Sequence, residues 1–360
     1  MTIRTRSTRR TPGVALAAAA VGLLALTGCS PSANQETTRS ADGSGDVACP
    51  VAPDTSFTGT LRLGYQLIPN GDLVVKDARV LETCLPGATI QWSKFSSGSE
   101  VLQAFGSRSL DIATLGSSPA TKALSDPLDL PVKVLWIHDV IGAAESLAVR
   151  DTSVNDLAGL RGRKIGVPFS STSHYSLLAA LQRAGLAGQV ELVNLQPDAI
   201  LGAWQRGEID AAWVWEPTLG ELLQDGKLLV SGAQTAEQGA PTFDVSIATT
   251  EFLTAHPEVA RVWAAAQNWA VERLTSDPEG AARSAAGELG IPADQVATQF
   301  TGYRYLDAAT QAGPEYLGGG LADDLLKTAD FLHSQGEVAQ VATADHYREG
   351  VSPEAARAAG

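Results

Sequence analysis

The sequence predicts an α/β fold of two similarly built lobes with a helical carboxyl-terminal region, and three observations carry that prediction. Strand-like and helix-like stretches alternate from residue 61 to about 213, the pattern of α/β units on largely parallel sheets. Residues 103–113 are echoed by residues 202–212, where in each case a helix ends, a short acid-bearing turn follows and a strand leads to a loop. From His256 onward the pattern is nearly all helical, with Pro257 at a helix start and Val259, Val262, Trp263, Ala266 and Ala270 on one face. With 360 residues, 44% of them apolar and 18% charged, the chain has enough material for two lobes, which excludes disorder throughout and collagen-like repetition.

The amino end is a separate element. Residues 1–28 hold Arg4, Arg6, Arg9 and Arg10 and no acid, so without them 26 basic residues fall to 22 against 40 acidic ones. The net charge of -14 for the whole chain argues against any sequence-independent grip on nucleic acid. An apolar stretch over residues 14–26 is too short for a membrane span of ~20 residues and reads as an export signal. It ends in Leu26-Thr27-Gly28-Cys29, which resembles the lipobox of bacterial lipoproteins; the resemblance implies cleavage after residue 28 and lipidation of Cys29. That leaves Cys49 and Cys84 as an even pair in an oxidising compartment, expected to form a disulfide that stabilises by roughly 3–4 kcal/mol. The alternative is two free buried thiols. Residues 29–57, rich in Ser, Thr, Gly and acids with no apolar period, read as a flexible tether.

Beyond the tether, strands are expected at 61–65, 90–92, 111–115, 132–136, 147–149, 164–167, 190–193 and 209–213, with helices at 99–107, 173–184 and 199–206. Asp111 and Asp210, at equivalent places in the echoed segments, read as turn-capping residues. Two strand-to-helix junctions have the composition of an anion site. Gly116-Ser117-Ser118-Pro119 and Phe169-Ser170-Ser171-Thr172-Ser173 each bring hydroxyls and free backbone N–H groups to a helix start. Either alone is a common helix cap; two facing each other across a cleft could hold a compact oxyanion without an arginine. Trp213 and Trp215 end a strand, the first suited to the core and the second equally to core or cleft wall. Glu145 and Asp244 sit among apolar flanks in segments that could connect the lobes, which makes fully exposed positions unfavourable for both.

Catalytic chemistry has little support. The five histidines are scattered with no metal-ligand spacing, Ser173 and His174 are neighbours that cannot face each other on a helix, and there is neither a phosphate-loop lysine motif nor G-x-G-x-x-G. No cofactor or metal is expected, and the enzyme reading is the minor one.

Taken together, Tyr65-Gln66, Gly116-Ser117-Ser118-Pro119, the run from Val167 through Leu181, Val193-Asn194-Leu195-Gln196-Pro197, Ala203-Trp204-Gln205-Arg206-Gly207, Val214-Trp215 and Gly239-Ala240-Pro241-Thr242 closely resemble the substrate-binding proteins of bacterial taurine ABC importers, in the taurine, alkanesulfonate and nitrate binding-protein family. The likeness is strong over residues 61–245 and looser beyond. It implies a type II periplasmic binding protein, two α/β lobes joined by a hinge around a ligand cleft, with lobe 1 from residues 58–146 and 246–360 and lobe 2 from 147–245. It further implies taurine as ligand, an ABC permease and ATPase as partners, a monomer, and a lipid anchor on the outer face of a cell membrane. Resemblance and residue chemistry together place Ser117, Ser118, Ser171 and Thr172 on the sulfonate, Asp244 and Glu145 on the ammonium, Trp215 as an aromatic wall, and Gln66 with Tyr65 closing the cleft. Leu67-Ile68-Pro69-Asn70-Gly71 and Glu216 depart from the family pattern and leave other aliphatic sulfonates as the alternative ligand class, ahead of nitrate, a thiamine-precursor pyrimidine or an enzymatic role.

Overall fold

The computed structural model describes residues 47–360. The expected signal peptide, Cys29 and most of the expected tether lie outside the described residues. The part of the tether that is described, residues 47–57, packs Val47, Cys49, Val51 and Phe57 against the main core, and Cys49 is joined to Cys84 by a disulfide. Val47, Cys49 and Val51 alternate, but with Phe57 six residues further on the run is too short to have marked the segment as ordered.

Among the described residues eleven strands fall into two sheets: β1 (Thr60–Gln66), β2 (Thr89–Phe95), β3 (Ile112–Gly116), β4 (Val132–Ile141), β5 (Glu145–Val149), β6 (Lys164–Val167), β7 (Glu191–Asn194), β8 (Ala211–Trp215), β9 (Lys227–Ser231), β10 (Phe243–Thr249) and β11 (Tyr303–Arg304). The first sheet has the order β11-β4-β10-β3-β1-β2 and the second β7-β6-β8-β5-β9. The chain thus leaves the first sheet after Ile141, builds the second from Glu145 to Ser231, and returns with β10. The sheets are mixed, not largely parallel. β10 runs antiparallel to β3 and β4, and β5 runs antiparallel to β8 and β9, because the strands that follow the crossings enter each sheet against its βαβ units.

The echo in the sequence has a structural counterpart. Asp111 Oδ2 accepts from the backbone N–H of Arg62 (2.8 Å), and Asp210 Oδ2 accepts from that of Lys164 (2.9 Å). Each acid therefore ties the start of one strand, β3 or β8, to the neighbouring parallel strand, β1 or β6, and each also pairs with an arginine, Arg62 or Arg163. The expected turn-capping role is replaced by this strand-linking one. The core of the first lobe packs Leu61, Leu63, Trp136, Val245 and Ile247 against the Pro257–Ser276 helix, whose Val259, Val262, Trp263, Ala266 and Ala270 are all buried. The second sheet is covered on two sides, by the Thr172–Arg183 helix over Ile165, Val167 and Trp213 and by the Pro197–Arg206 helix over Ala212 and Val214.

Candidate functional site

The ends of β1, β3 and β8 and the starts of β5 and β10 converge between the lobes. The cavity there is lined by Gln66, Ile68, Gly98, Gly116, Pro119, Glu145, Ser171, Thr172, Trp215 and Asp244, and at about 10 Å³ it has room for about one water. The lobes are closed on each other. A Cβ on Gly116 of the first lobe would lie 2.6 Å from Thr172 Cγ2 of the second, so only glycine allows this approach. Lys122 Nζ reaches across to Ser170 Oγ (2.8 Å) while pairing with Glu337, and the ring of Tyr175 meets Phe331 edge-on. A larger groove of about 1060 Å³ opens at the opposite ends of the first sheet's strands, where Arg62 and Asp111 already satisfy each other. Its polar groups do not converge, so size alone does not recommend it.

One end of the cavity is a donor end. Thr172–Arg183 is a 12-residue helix whose first N–H groups lack intrahelical partners and whose dipole is positive there. Ser171 caps it, donating to Pro168 O (2.6 Å) and accepting from His174 N–H (3.1 Å), so the Ser171 hydroxyl is committed to the loop and its contribution to an anion is backbone. Ser117–Ala123 has only 7 residues and adds local N–H groups and a hydroxyl rather than a long dipole. Ser117 Oγ accepts from Phe243 N–H (3.2 Å). Ser118, 1% exposed, has a buried hydroxyl with no hydrogen-bond partner among the described residues.

The other end is acidic. Glu145 is the first residue of β5 and stands opposite Trp215 in the β5–β8 ladder; Asp244 in β10 stands beside Gly116 on one side and Asp139 on the other. All three acids are buried, and none is paired with a lysine or arginine among the described residues. Burial pushes the Glu145 carboxyl up to about 8, against the hydrogen bond that Thr172 Oγ1 donates to its Oε2 (2.6 Å). Burial likewise raises Asp244 to about 7. Asp139 is held well above the ordinary carboxyl range by burial and by the neighbouring acids. Among the described residues, no group of three or more His, Cys, Asp or Glu side chains is arranged to hold a metal ion.

Six of the eight residues expected to bind ligand line the one cavity: Gln66, Glu145, Ser171, Thr172, Trp215 and Asp244. Ser117 and Ser118 are buried and do not line it, although their chain neighbours Gly116 and Pro119 do. Gln66 is oriented by donating from Nε2 to Thr114 O (3.0 Å). Tyr65 does not close the cleft: strand alternation turns it the other way, where its hydroxyl donates to Glu288 and its ring meets Trp92. Trp213 is core, whereas Trp215, the last residue of β8, shares a cluster with Ile68 and Tyr303 and borders the cavity. Asp139 was missed by the sequence reading. Its signal was present: His138 and Asp139 interrupt an otherwise apolar run over residues 134–141.

Two lobes on mixed sheets, crossed by the strands that frame a buried polar cleft, define a type II periplasmic binding protein. The chain belongs to the family described as the substrate-binding domain of the ABC-type glycine betaine transport system, which matches residues 59–301, and it is therefore a binding protein and not an enzyme. It is 39% identical over 263 residues to the taurine-binding periplasmic protein of Escherichia coli (strain K12), covering 71% of this chain and 81% of that one. In fold it is similar to the alkanesulfonate-binding protein from Xanthomonas axonopodis pv. citri bound to MOPS, with a TM-score of 0.69 at 21% identity over 82% of this chain and 99% of that one. The periplasmic aliphatic sulphonate binding protein from Escherichia coli gives a TM-score of 0.67 at 23% identity over 83% and 99%.

Proposed function

We propose that this protein captures taurine outside the cell and delivers it to the permease and ATPase of an ABC importer. The observation that carries the reading is the pair of buried acids, Asp244 and Glu145, lining a cavity whose other end is built from helix-terminal donors. Taurine is a sulfonate and an ammonium two carbons apart. A cleft for an uncharged-tailed sulfonate has no use for buried carboxylates, because an unpaired charge in a closed cleft is costly. Glycine betaine, the ligand in the family's description, also joins an anion to a cation, but a quaternary ammonium is held by faces of several aromatic rings. Here Trp215 is the one aromatic residue among the ten that line the cavity.

Calorimetric titration with taurine, ethanesulfonate, longer aliphatic sulfonates, sulfate, nitrate and glycine betaine tests the reading. Taurine is expected to bind most tightly; an ethanesulfonate affinity equal to that of taurine would turn the assignment to general alkanesulfonates.

Anchoring is a separate part of the proposal and rests on Leu26-Thr27-Gly28-Cys29 together with Arg4, Arg6, Arg9 and Arg10. Among the described residues no helix is long and apolar enough to cross a membrane, so a lipid on Cys29 is the means of attachment proposed here. Cys29→Ala is expected to shift the protein from the membrane to the soluble fraction or leave it unprocessed, with Cys49→Ala as the control that does neither. A processed Cys29→Ala protein still on the membrane would refute it.

A further inference from the structure

Behind Asp244, away from the cavity, stands Asp139. It is 0% exposed, it does not line the cavity, and among the described residues its carboxyl oxygens face no hydrogen-bonding group other than Asp244. In the β4–β10 ladder it is the register partner of Asp244, so the two side chains emerge on the same face of neighbouring strands. Its neighbour His138 faces the other way, into a buried network with Thr114 and Ser246.

The groups around this pair come from every adjoining element. Glu145 is on β5. From β11 comes Tyr303, whose buried hydroxyl also lacks a partner, and just after it Tyr305, whose hydroxyl donates to Pro69 O (2.7 Å). After β8 comes Glu216, whose Oε2 accepts from Gly220 N–H (2.8 Å). None of these is a cation.

Charge counting then restricts what the cluster can be. Three ionised carboxylates in a closed, cation-free space are prohibitively repulsive, so protons are retained. A ligand ammonium brings one positive charge and balances one carboxylate. Asp244 borders the cavity and is placed to be that charge. Two facing carboxylates offer each other no donor, but a single proton on Asp139 converts the pair into a short charge-assisted hydrogen bond.

We infer that Asp139 is a positioning residue that stays neutral: it keeps its proton and donates it to Asp244, so that the cleft presents one aimed negative charge to a ligand's ammonium. This rests on the proposed reading of the cleft as a site for an ammonium joined to an anion. The titration behaviour agrees with the geometry. Burial and the neighbouring acids hold Asp139 well above the ordinary range, whereas Asp244 rises only to about 7, because the hydrogen bond from Asp139 opposes the effect of burial. The sign follows. Asp244 holds an ammonium only when ionised, so affinity for taurine weakens as pH falls through about 7, approaching tenfold per pH unit for one linked proton.

The test is calorimetric titration of wild type, Asp139→Asn and Asp139→Leu with taurine and with ethanesulfonate between pH 5.5 and 8.5. In Asp139→Asn the amide N–H replaces the carboxyl O–H, and taurine affinity is expected to stay within about threefold of wild type with an unmoved acid limb. Asp139→Leu keeps the branching but is larger and removes the donor. It is expected to lose about tenfold or more for taurine at neutral pH, to move the acid limb upward by roughly one pH unit, and to change ethanesulfonate binding little. A folded Asp139→Asn protein that loses taurine binding would overturn the inference, since Asp139 would then act as an anion; this variant keeps the test decisive if the leucine variant does not fold. An unmoved acid limb in folded Asp139→Leu would overturn it as well. Wild-type protein that binds no taurine at all would overturn the functional reading and this inference together, an outcome distinct from the others.

Discussion

Asp244→Asn is expected to lose roughly 2–5 kcal/mol of taurine binding, about 30-fold to a few thousand-fold, while losing far less for ethanesulfonate. The two ligands share the sulfonate and differ in the ammonium, so the difference between the losses isolates the charge that Asp244 supplies. The substitution is nearly isosteric and removes a buried carboxylate, so folding is not at risk. Its effect on the free protein has a definite sign. A carboxyl raised from 3.8 in the unfolded chain to about 7 in the fold contributes stability that is fully present below about pH 4 and is lost progressively as pH rises to about 7. Asp244→Asn has no such loss, and its unfolding temperature is expected to decline less between about pH 4 and 7 than that of wild type. Equal losses for the two sulfonates in titration would show that Asp244 supports the fold and not the ammonium.

At the opposite end of the cavity, Ser118→Asp is expected to abolish measurable taurine binding. Ser118 is 1% exposed with an unpartnered hydroxyl, so an aspartate there sets a like charge against the sulfonate in a closed space with nothing to neutralise it. Ser118→Ala, by contrast, removes one side-chain donor and leaves the backbone donors in place, which costs about 1–2 kcal/mol. Circular dichroism of the aspartate variant separates lost binding from lost fold. A folded Ser118→Asp protein that retains taurine within tenfold of wild type would move the sulfonate to another part of the cleft.

Much of the cavity's lining was legible in the sequence because its chemistry is local. Helix caps announce themselves in short runs such as Ser171-Thr172-Ser173, and an acid among apolar neighbours, such as Glu145 or Asp244, is conspicuous. The fold was legible where periodicity carried it, as in the buried face of the Pro257–Ser276 helix. What escaped depended on pairing between distant segments. The antiparallel entry of β10 is not encoded in the residues of β10 alone, and the pairing of Asp139 with Asp244 exists only once β4 and β10 are neighbours. Tyr65 was misplaced because its strand is buried on both faces, so alternation there does not reveal which face meets the cleft. The start of the ordered chain was set too late because the apolar residues that pack before Phe57 are only three, Val47, Cys49 and Val51, too short an alternation to stand out.

The central claim is that one cleft holds an ammonium and a sulfonate at opposite ends, and the crystal structure of the protein with taurine tests it most directly. The account predicts the taurine nitrogen within hydrogen-bond distance of Asp244, with the sulfonate oxygens on the backbone N–H groups at Ser118 and Thr172. A sulfonate lodged beside Asp244 and Glu145, or a taurine nitrogen with no carboxylate in reach, would contradict it.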